Sequence, residues 1–412
     1  MLTKLIKGKS SLIILDQAIV SAGNFTLTLL LARFLNLNEF GLFSLIWLFV
    51  LFFSSIQNAV IISPMLTLGG KKEKLTLNRF LHGMLLIEVL YLSGILVILL
   101  LLSIFLHFLS LKEELAKLIP FFSLATLSFL LNEFYRRYFI IQGKLNLLIT
   151  IDIIAYIGQI ALILIISIKN SLNLKWAFIS IFVAFTLSNF VSYTQTLKTR
   201  IGRLYLKQLT LKIWNFSKWL LYSALLQWGS GNFFIIVASS VLGNWTVGVI
   251  KATQNIMGIL HVIFISLENI LPTKFSQIYK KSGYIALISV FKKLIKVGII
   301  LSVLFILIIV LLAPKIMTIL YGEKYAQFSY LLIGFAIVYL LIYINMLQRY
   351  VIRTIEKTKT IFISYVITTI FSIISSYPLI KWLGLNGVII GMVAVQILTY
   401  IFLYKEIKQR GL

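Results

Sequence analysis

Twelve apolar runs leave this chain one environment to fold in. They lie at about 11–35, 40–63, 83–108, 118–141, 146–168, 174–196, 214–242, 245–271, 284–313, 325–348, 360–381 and 385–404. A helix needs roughly 20 residues to cross a hydrocarbon core, and each run comes close to that or exceeds it. Inside a bilayer no water is available to backbone amides and carbonyls, so such runs are satisfied only as helices. The expected fold class is an all-α integral membrane protein with about 12 transmembrane helices. Composition agrees, since only 12% of residues are charged, against about a quarter in soluble domains.

The charges that remain carry the orientation. Net charge is +26, from 38 Lys and Arg against 12 Asp and Glu. In a soluble protein that excess would point to nucleic acid. Here the charges fall between apolar runs, so they read as a topology signal. Counted with the flanking ends of their runs, the N-terminus, the even-numbered connections and the C-terminus hold 29 of the 38. The odd-numbered connections and their flanks hold 8, and Lys251 is left over inside the eighth run. Both termini are therefore expected on the cytoplasmic side. The first run reads as a retained span and not as a cleaved signal.

A stretch near the start recurs past the middle. Gly23-Asn24-Phe25, Phe40-Gly41, Pro64 and Lys71-Lys72 are matched by Gly231-Asn232-Phe233, Val247-Gly248, Pro272 and Lys280-Lys281. The intervals are 18, 23 and 7 residues in the first copy and 17, 24 and 8 in the second. Arg137-Tyr138 and Arg349-Tyr350 extend the match at a similar offset. A shift of six spans preserves direction through the membrane. The expectation is two six-helix lobes, 1–197 and 214–412, related by a pseudo-two-fold along the membrane normal. Residues 198–213 join them. Arg200, Arg203 and Lys207, with Ile201, Leu204 and Leu211, fit a basic amphipathic helix on the cytoplasmic surface; a solvated linker fits them as well.

Several chemistries find no support. The chain has no cysteine, and His82, His107 and His261 are scattered, so no metal-ligand spacing appears. Gly70-Lys71-Lys72 and Gly143-Lys144 lack the spacing and the Ser or Thr of a phosphate-binding loop. No catalytic arrangement, and no need for a cofactor, emerges.

The segments Ala32-Arg33-Phe34-Leu35, Glu39-Phe40-Gly41-Leu42-Phe43, Leu242-Gly243-Asn244-Trp245-Thr246-Val247-Gly248 and Leu383-Gly384-Leu385-Asn386-Gly387 carry a family resemblance. With the span number and charge pattern, the chain resembles O-antigen flippases of the Wzx type. These form the polysaccharide-transporter branch of the multidrug/oligosaccharidyl-lipid/polysaccharide (MOP) exporters. The resemblance implies translocation of an undecaprenyl-diphosphate-linked oligosaccharide by alternating access in a bacterial inner membrane. The partners it implies are the lipid-linked oligosaccharide, membrane lipids, a polysaccharide polymerase and a chain-length regulator. The competing readings are a multidrug/cation antiporter of the same superfamily and a membrane polysaccharide polymerase. The antiporter would favour an acid-rich site. The polymerase would need a long external loop, which the short odd connections do not supply.

Ionisable residues inside spans are costly and are functional candidates by default. Arg136 and Arg137 share a helix face with Glu133. They are candidates for gripping the diphosphate, with Glu133 orienting them; snorkelling to headgroups is the alternative. Lys251 is a candidate for attracting the same diphosphate further out; snorkelling to the outer headgroups is the alternative. Asp16, Glu88, Asp152 and Glu268 are candidates for ion coupling; pairing with basic residues at the cytoplasmic rim is the alternative. Gly23, Gly41, Gly231 and Gly248 are read as close-packing or local-bending positions, and Pro64 and Pro272 as kinks or ends. Asn24, Asn232, Gln57, Gln227, Gln254 and Asn255 could line a sugar path; interhelical hydrogen bonding fits them equally well.

The charge asymmetry generates a test. Phosphatase fusions after Asn244 and Lys315 are expected to be active, and fusions after Lys72, Lys207 and Lys281 silent. An active fusion after Lys207 would overturn both the orientation and the parallel repeat.

Overall fold

The computed structural model describes residues 9–70, 73–108, 113–169, 172–196 and 201–409. The Lys71-Lys72 pair and the side chains of His107 and Glu268 lie outside the described residues. All regular structure among the described residues is helical. In chain order the helices are α1 (Lys9–Phe34), α2 (Leu37–Gln57), α3 (Ser63–Gly69), α4 (Lys74–Phe108), α5 (Glu113–Gln142), α6 (Leu145–Asp152), α7 (Gly158–Ile168), α8 (Leu174–Thr194), α9 (Arg203–Leu242), α10 (Trp245–Tyr321), α11 (Tyr330–Thr354), α12 (Thr358–Leu383) and α13 (Leu385–Gln409). A π-helical segment, Asn58–Ile62, joins α2 to α3, and another, Ile153–Ile157, joins α6 to α7.

Among the described residues, ten helices are long and apolar enough to cross a membrane, or up to eleven with the bent pair Lys274–Ile309 and Leu311–Tyr321 taken as one span. The ten account for the first seven and the last three apolar runs. Runs eight and nine both fall within α10, which has 77 residues. Straight, such a helix would measure roughly 115 Å, far beyond any bilayer. It is broken at Gly283, whose φ of 75° and ψ of −171° are non-helical. Glycine reaches that conformation at little steric cost. The chain is a multi-pass membrane protein.

Two compact units emerge. One comprises Met1–Leu35 and Ile46–Ala224; the other comprises Asn36–Leu45 and Leu225–Leu412. The division near residue 224 falls inside α9, beyond the amphipathic segment 198–213 that the sequence reading set between the lobes. Residues 203–213 are helical and continue unbroken into the seventh span. They are also packed. Leu209 and Ile213 belong to the core of the first unit, with Phe80, Met84, Phe134, Tyr138 and Leu148. The Arg79 guanidinium lies 4.3 Å from the Tyr205 ring centroid. Leu204, Lys207, Leu211 and Lys212 stay exposed on the other face.

In the second unit, small residues let backbones approach, as expected where lipid and protein are equally apolar. Ser364, Thr368, Ser372 and Ser376 form a buried stripe on α12. Thr369 Oγ1 donates to the Leu226 carbonyl at 2.8 Å, and Ser372 Oγ to the Ser230 carbonyl at 3.3 Å, binding α12 to α9. A Cβ built on Gly41 would meet the Asn244 carbonyl oxygen at 1.9 Å. On Gly248 it would meet the Gly41 backbone at 3.0 Å. Residues 36–45 therefore belong with the start of α10. Gly231 differs, with no atom within 4 Å of its Cβ position.

These surroundings predict opposite outcomes at two glycines. Gly41→Leu is expected to cost at least about 1–3 kcal/mol, because its obstacle is backbone that cannot rotate away. Gly231→Ala is expected to be neutral or stabilising by up to ~1 kcal/mol, as for Gly→Ala in a helix. Thermal unfolding of the purified variants reads both.

Candidate functional site

The polar centre of the first unit is one arginine shared by three carboxylates. Arg136 sits on α5 and is 3% exposed. Its Nε donates to Asp152 Oδ2 at 2.8 Å, its Nη1 to Glu133 Oε1 at 2.9 Å, and its Nη2 to Asp16 Oδ2 at 3.1 Å. Glu133 is one turn earlier on the same helix, Asp16 comes from α1, and Asp152 ends α6. Tyr156 Oη, in the π segment Ile153–Ile157, donates to Glu133 Oε1 at 3.4 Å. Gly23 brings α1 close enough for this. A Cβ on Gly23 would lie 2.7 Å from Tyr156 Cβ. Gly23 follows Asp16 by seven residues and so shares its helix face.

The charges do not balance. One guanidinium faces three carboxyl groups, with Arg137, half-buried, near enough to Glu133 to act on it electrostatically. Asp16 Oδ1 and Asp152 Oδ1 are buried and have no hydrogen-bond partner among the described residues. Both carboxyl groups bond the same guanidinium, so two buried acids from different helices lie close together around one cation. Among the described residues no set of three acidic, His or Cys side chains has a metal-binding arrangement.

Arg136 does not present its guanidinium as the sequence reading expected. All three of its nitrogens donate to the protein's own acids. Glu133 orients it, but from within a closed set of partners. Asp16 likewise pairs with Arg136, an interaction spanning 120 residues that helical spacing cannot reveal. Arg137 has a buried Nε without a hydrogen-bond partner among the described residues.

A second buried acid stands apart. Glu88, on α4, is 0% exposed. Gln57 Nε2 donates to Glu88 Oε1 and to the Leu130 carbonyl, each at 2.8 Å. Glu88 Oε2 and Gln57 Oε1 have no partner among the described residues. Gln57 immediately precedes the π segment Asn58–Ile62, just as Asp152 precedes the other one. Such segments are frequent at functional sites. Neither was legible in advance, because no residue pattern marks a π turn. Pro64 lies just after Asn58–Ile62, and Pro272 lies within α10.

In the second unit, Lys251 lies one turn and a half into α10 and is half-buried. Its neighbours Ile250, Ala252 and Thr253 are almost fully enclosed. Lys251 has no ion-pair or hydrogen-bond partner among the described residues. One turn on, Asn255 Nδ2 donates to Tyr321 Oη at 3.0 Å.

Neither a protein-family model nor a curated protein matches the sequence. Solved structures do. An inward-facing multidrug-resistance MATE-family transporter of the MOP superfamily matches with a TM-score of 0.76 at 14% identity, over 95% of each chain. The lipid II flippase MurJ, in an inward closed conformation, matches at 0.74 and 15% identity, over 97% of this chain and 88% of that one. A MOP-superfamily transporter from Pyrococcus furiosus, described by the reverse polarity of its binding pocket, matches at 0.65 and 14% identity, over 98% and 97%. The fold is that of MOP-superfamily transporters. Both a multidrug transporter and a lipid flippase wear this MOP fold, so the fold alone does not choose between the two.

The Arg136 cluster predicts a non-additive pair of mutations. Arg136→Gln is expected to destabilise by about 3–5 kcal/mol, because it strands buried acids. Adding Asp152→Asn is expected to recover part of that loss. Thermal unfolding of the two single variants and the double variant gives the coupling.

Proposed function

We propose that this protein is a flippase moving an undecaprenyl-diphosphate-linked oligosaccharide from the cytoplasmic to the outer leaflet by alternating access. The observation that carries this reading is Lys251. A cation inside a span costs about 2.5–3.5 kcal/mol on insertion scales. Here no described acid offsets it. An anionic substrate would, and a diphosphate offers the charge. Arg137 is the second candidate for that contact. Arg136 has a different role in this proposal: it holds Asp16, Glu133 and Asp152 together as the coupling site. Protons entering and leaving Asp16 and Asp152 would then bias the conformational equilibrium. Glu88 and Glu268 remain further coupling candidates. A polysaccharide polymerase and a chain-length regulator are the protein partners this function would call for, in a bacterial inner membrane.

A multidrug/cation antiporter is the second reading, and the three buried carboxyl groups around Arg136 favour it. The two differ in the sign of the substrate's charge, and that is testable. Proteoliposomes loaded with a fluorescent polyprenyl-diphosphate oligosaccharide measure flipping directly. Lys251→Ala is expected to reduce the rate at least about tenfold, which corresponds to about 1.4 kcal/mol. Lys251→Arg is expected to retain most of it. Asp16→Asn and Asp152→Asn are expected to abolish stimulation by a pH gradient. Normal flipping by Lys251→Ala at matched protein level would remove the lysine's role. Extrusion of cationic dyes without any flipping would replace the flippase by the antiporter.

A further inference from the structure

An open cavity of ≈ 420 Å³ lies within the second unit, among α10 beyond Gly283, α11 and α13. Its size falls in the roughly 300–1,000 Å³ range of small-ligand sites. Phe291, Lys292 and Lys296 come from α10, Gln348 from α11, and Tyr400 and Tyr404 from α13. Isoleucines of α10 complete a largely apolar wall.

Three features of this wall are unexplained by packing alone. Gln348 is 0% exposed, yet neither its amide nitrogen nor its amide oxygen has a hydrogen-bond partner among the described residues. An unsatisfied buried amide is costly. One turn earlier, Asn345 satisfies its amide nitrogen, which donates to the Gln396 carbonyl and to Gln396 Oε1, both at 2.9 Å, while its Oδ1 has no partner among the described residues. Lys292 and Lys296 stand four residues apart on one helix face, both exposed. Like charges at that spacing repel, and no described acid pairs with either. Tyr400 and Tyr404 stack with centroids 5.5 Å apart and planes 12° apart, making a flat aromatic face.

We propose that this groove is a binding site for one anionic diacyl phospholipid of the surrounding leaflet. The phosphate sits between Lys292 and Lys296, the amide of Gln348 bonds the glycerol ester region, and an acyl chain lies along Phe291 and the tyrosine face. A soluble anion would leave the apolar wall wet, and an uncharged lipid would leave the lysines unmatched. The charge pattern places the groove at the cytoplasmic end of these spans, where anionic lipid meets basic residues. The site is separate from the Lys251 and Arg136 groups and does not depend on the transported substrate.

Native mass spectrometry of the full-length protein in detergent tests this. Phosphatidylglycerol and phosphatidylcholine are titrated separately, with a thermal melt of each variant as a folding control. One phosphatidylglycerol per chain is expected to survive, bound at least about tenfold more tightly than phosphatidylcholine. The double variant Lys292→Gln/Lys296→Gln is expected to lose that preference, and Lys292→Arg/Lys296→Arg to keep it. Gln348→Leu is expected to weaken phosphatidylglycerol binding several-fold while leaving the lipid-free melt unchanged or raised. Excess inorganic phosphate is expected not to displace the lipid. Equal binding of the two lipids, an unchanged preference in the Gln double variant, or displacement by phosphate would each overturn the proposal. A flipping defect caused by Lys251→Ala would leave these lipid measurements unchanged, so the two readings fail separately.

Discussion

The first unit depends on a single buried guanidinium. Arg136 reaches acids on three helices, at 2.8, 2.9 and 3.1 Å. Each close pair is worth about 4 kcal/mol at an effective dielectric near 20, before the desolvation that opposes it. An ion group of this kind adds little net stability over well-packed apolar residues. Its three bonds tie α1, α5 and α6 to one point. Gly23 belongs to the same arrangement. With a side chain at position 23, α1 would be pushed off Tyr156 and Asp16 carried away from Arg136.

The π segments serve the same placement. A π turn takes up one extra residue, which rotates the following helix by about 100° relative to an unbroken α-helix. In the fifth span this happens immediately after Asp152, and Tyr156 in the segment still reaches Glu133. In the second span it happens immediately after Gln57, whose amide is held between Glu88 and the Leu130 carbonyl. Leu130 and Glu133 are one turn apart on α5. That helix therefore carries Glu133 and, one turn earlier, the carbonyl that meets the Gln57 amide of the Gln57–Glu88 pair, and a π segment in another span adjoins each. Rotation about either π segment would alter the burial of its acid.

Much of this was legible in the residues, for reasons that differ by level. The spans follow from run length, and the interval left between the eighth and ninth runs, 272–283, contains the break at Gly283. The list of buried ionisable groups followed from their cost in lipid. Their pairings did not follow. Glu133 with Arg136 is an i, i+3 contact and can be read from spacing, whereas Asp16 with Arg136 is a tertiary contact and cannot. The same limit applies to α9. Its basic, amphipathic start looked separable, but Leu209 and Ile213 anchor it to the first unit's core, so the connection and the seventh span form one rod. Residues 36–45 likewise pack with α10 through Gly41 and Gly248, a contact that the repeated glycines hinted at only as close packing somewhere.

The two units present opposite electrostatic problems. The first holds more buried acid than base around Arg136, which the proposed proton uptake would relieve. The second holds Lys251 without a described counter-charge, which the proposed anionic substrate would relieve. A ligand shifts a conformational equilibrium only by its differential affinity for the states. If proton uptake at Asp16 and Asp152 and anion binding at Lys251 each favour one conformation, linkage makes the effect reciprocal: each changes the other's affinity by the same factor. Coupling then needs no direct contact between proton and substrate. It needs only that both sites bias one two-state element, and a cost of a few kcal/mol at each site is enough to do so.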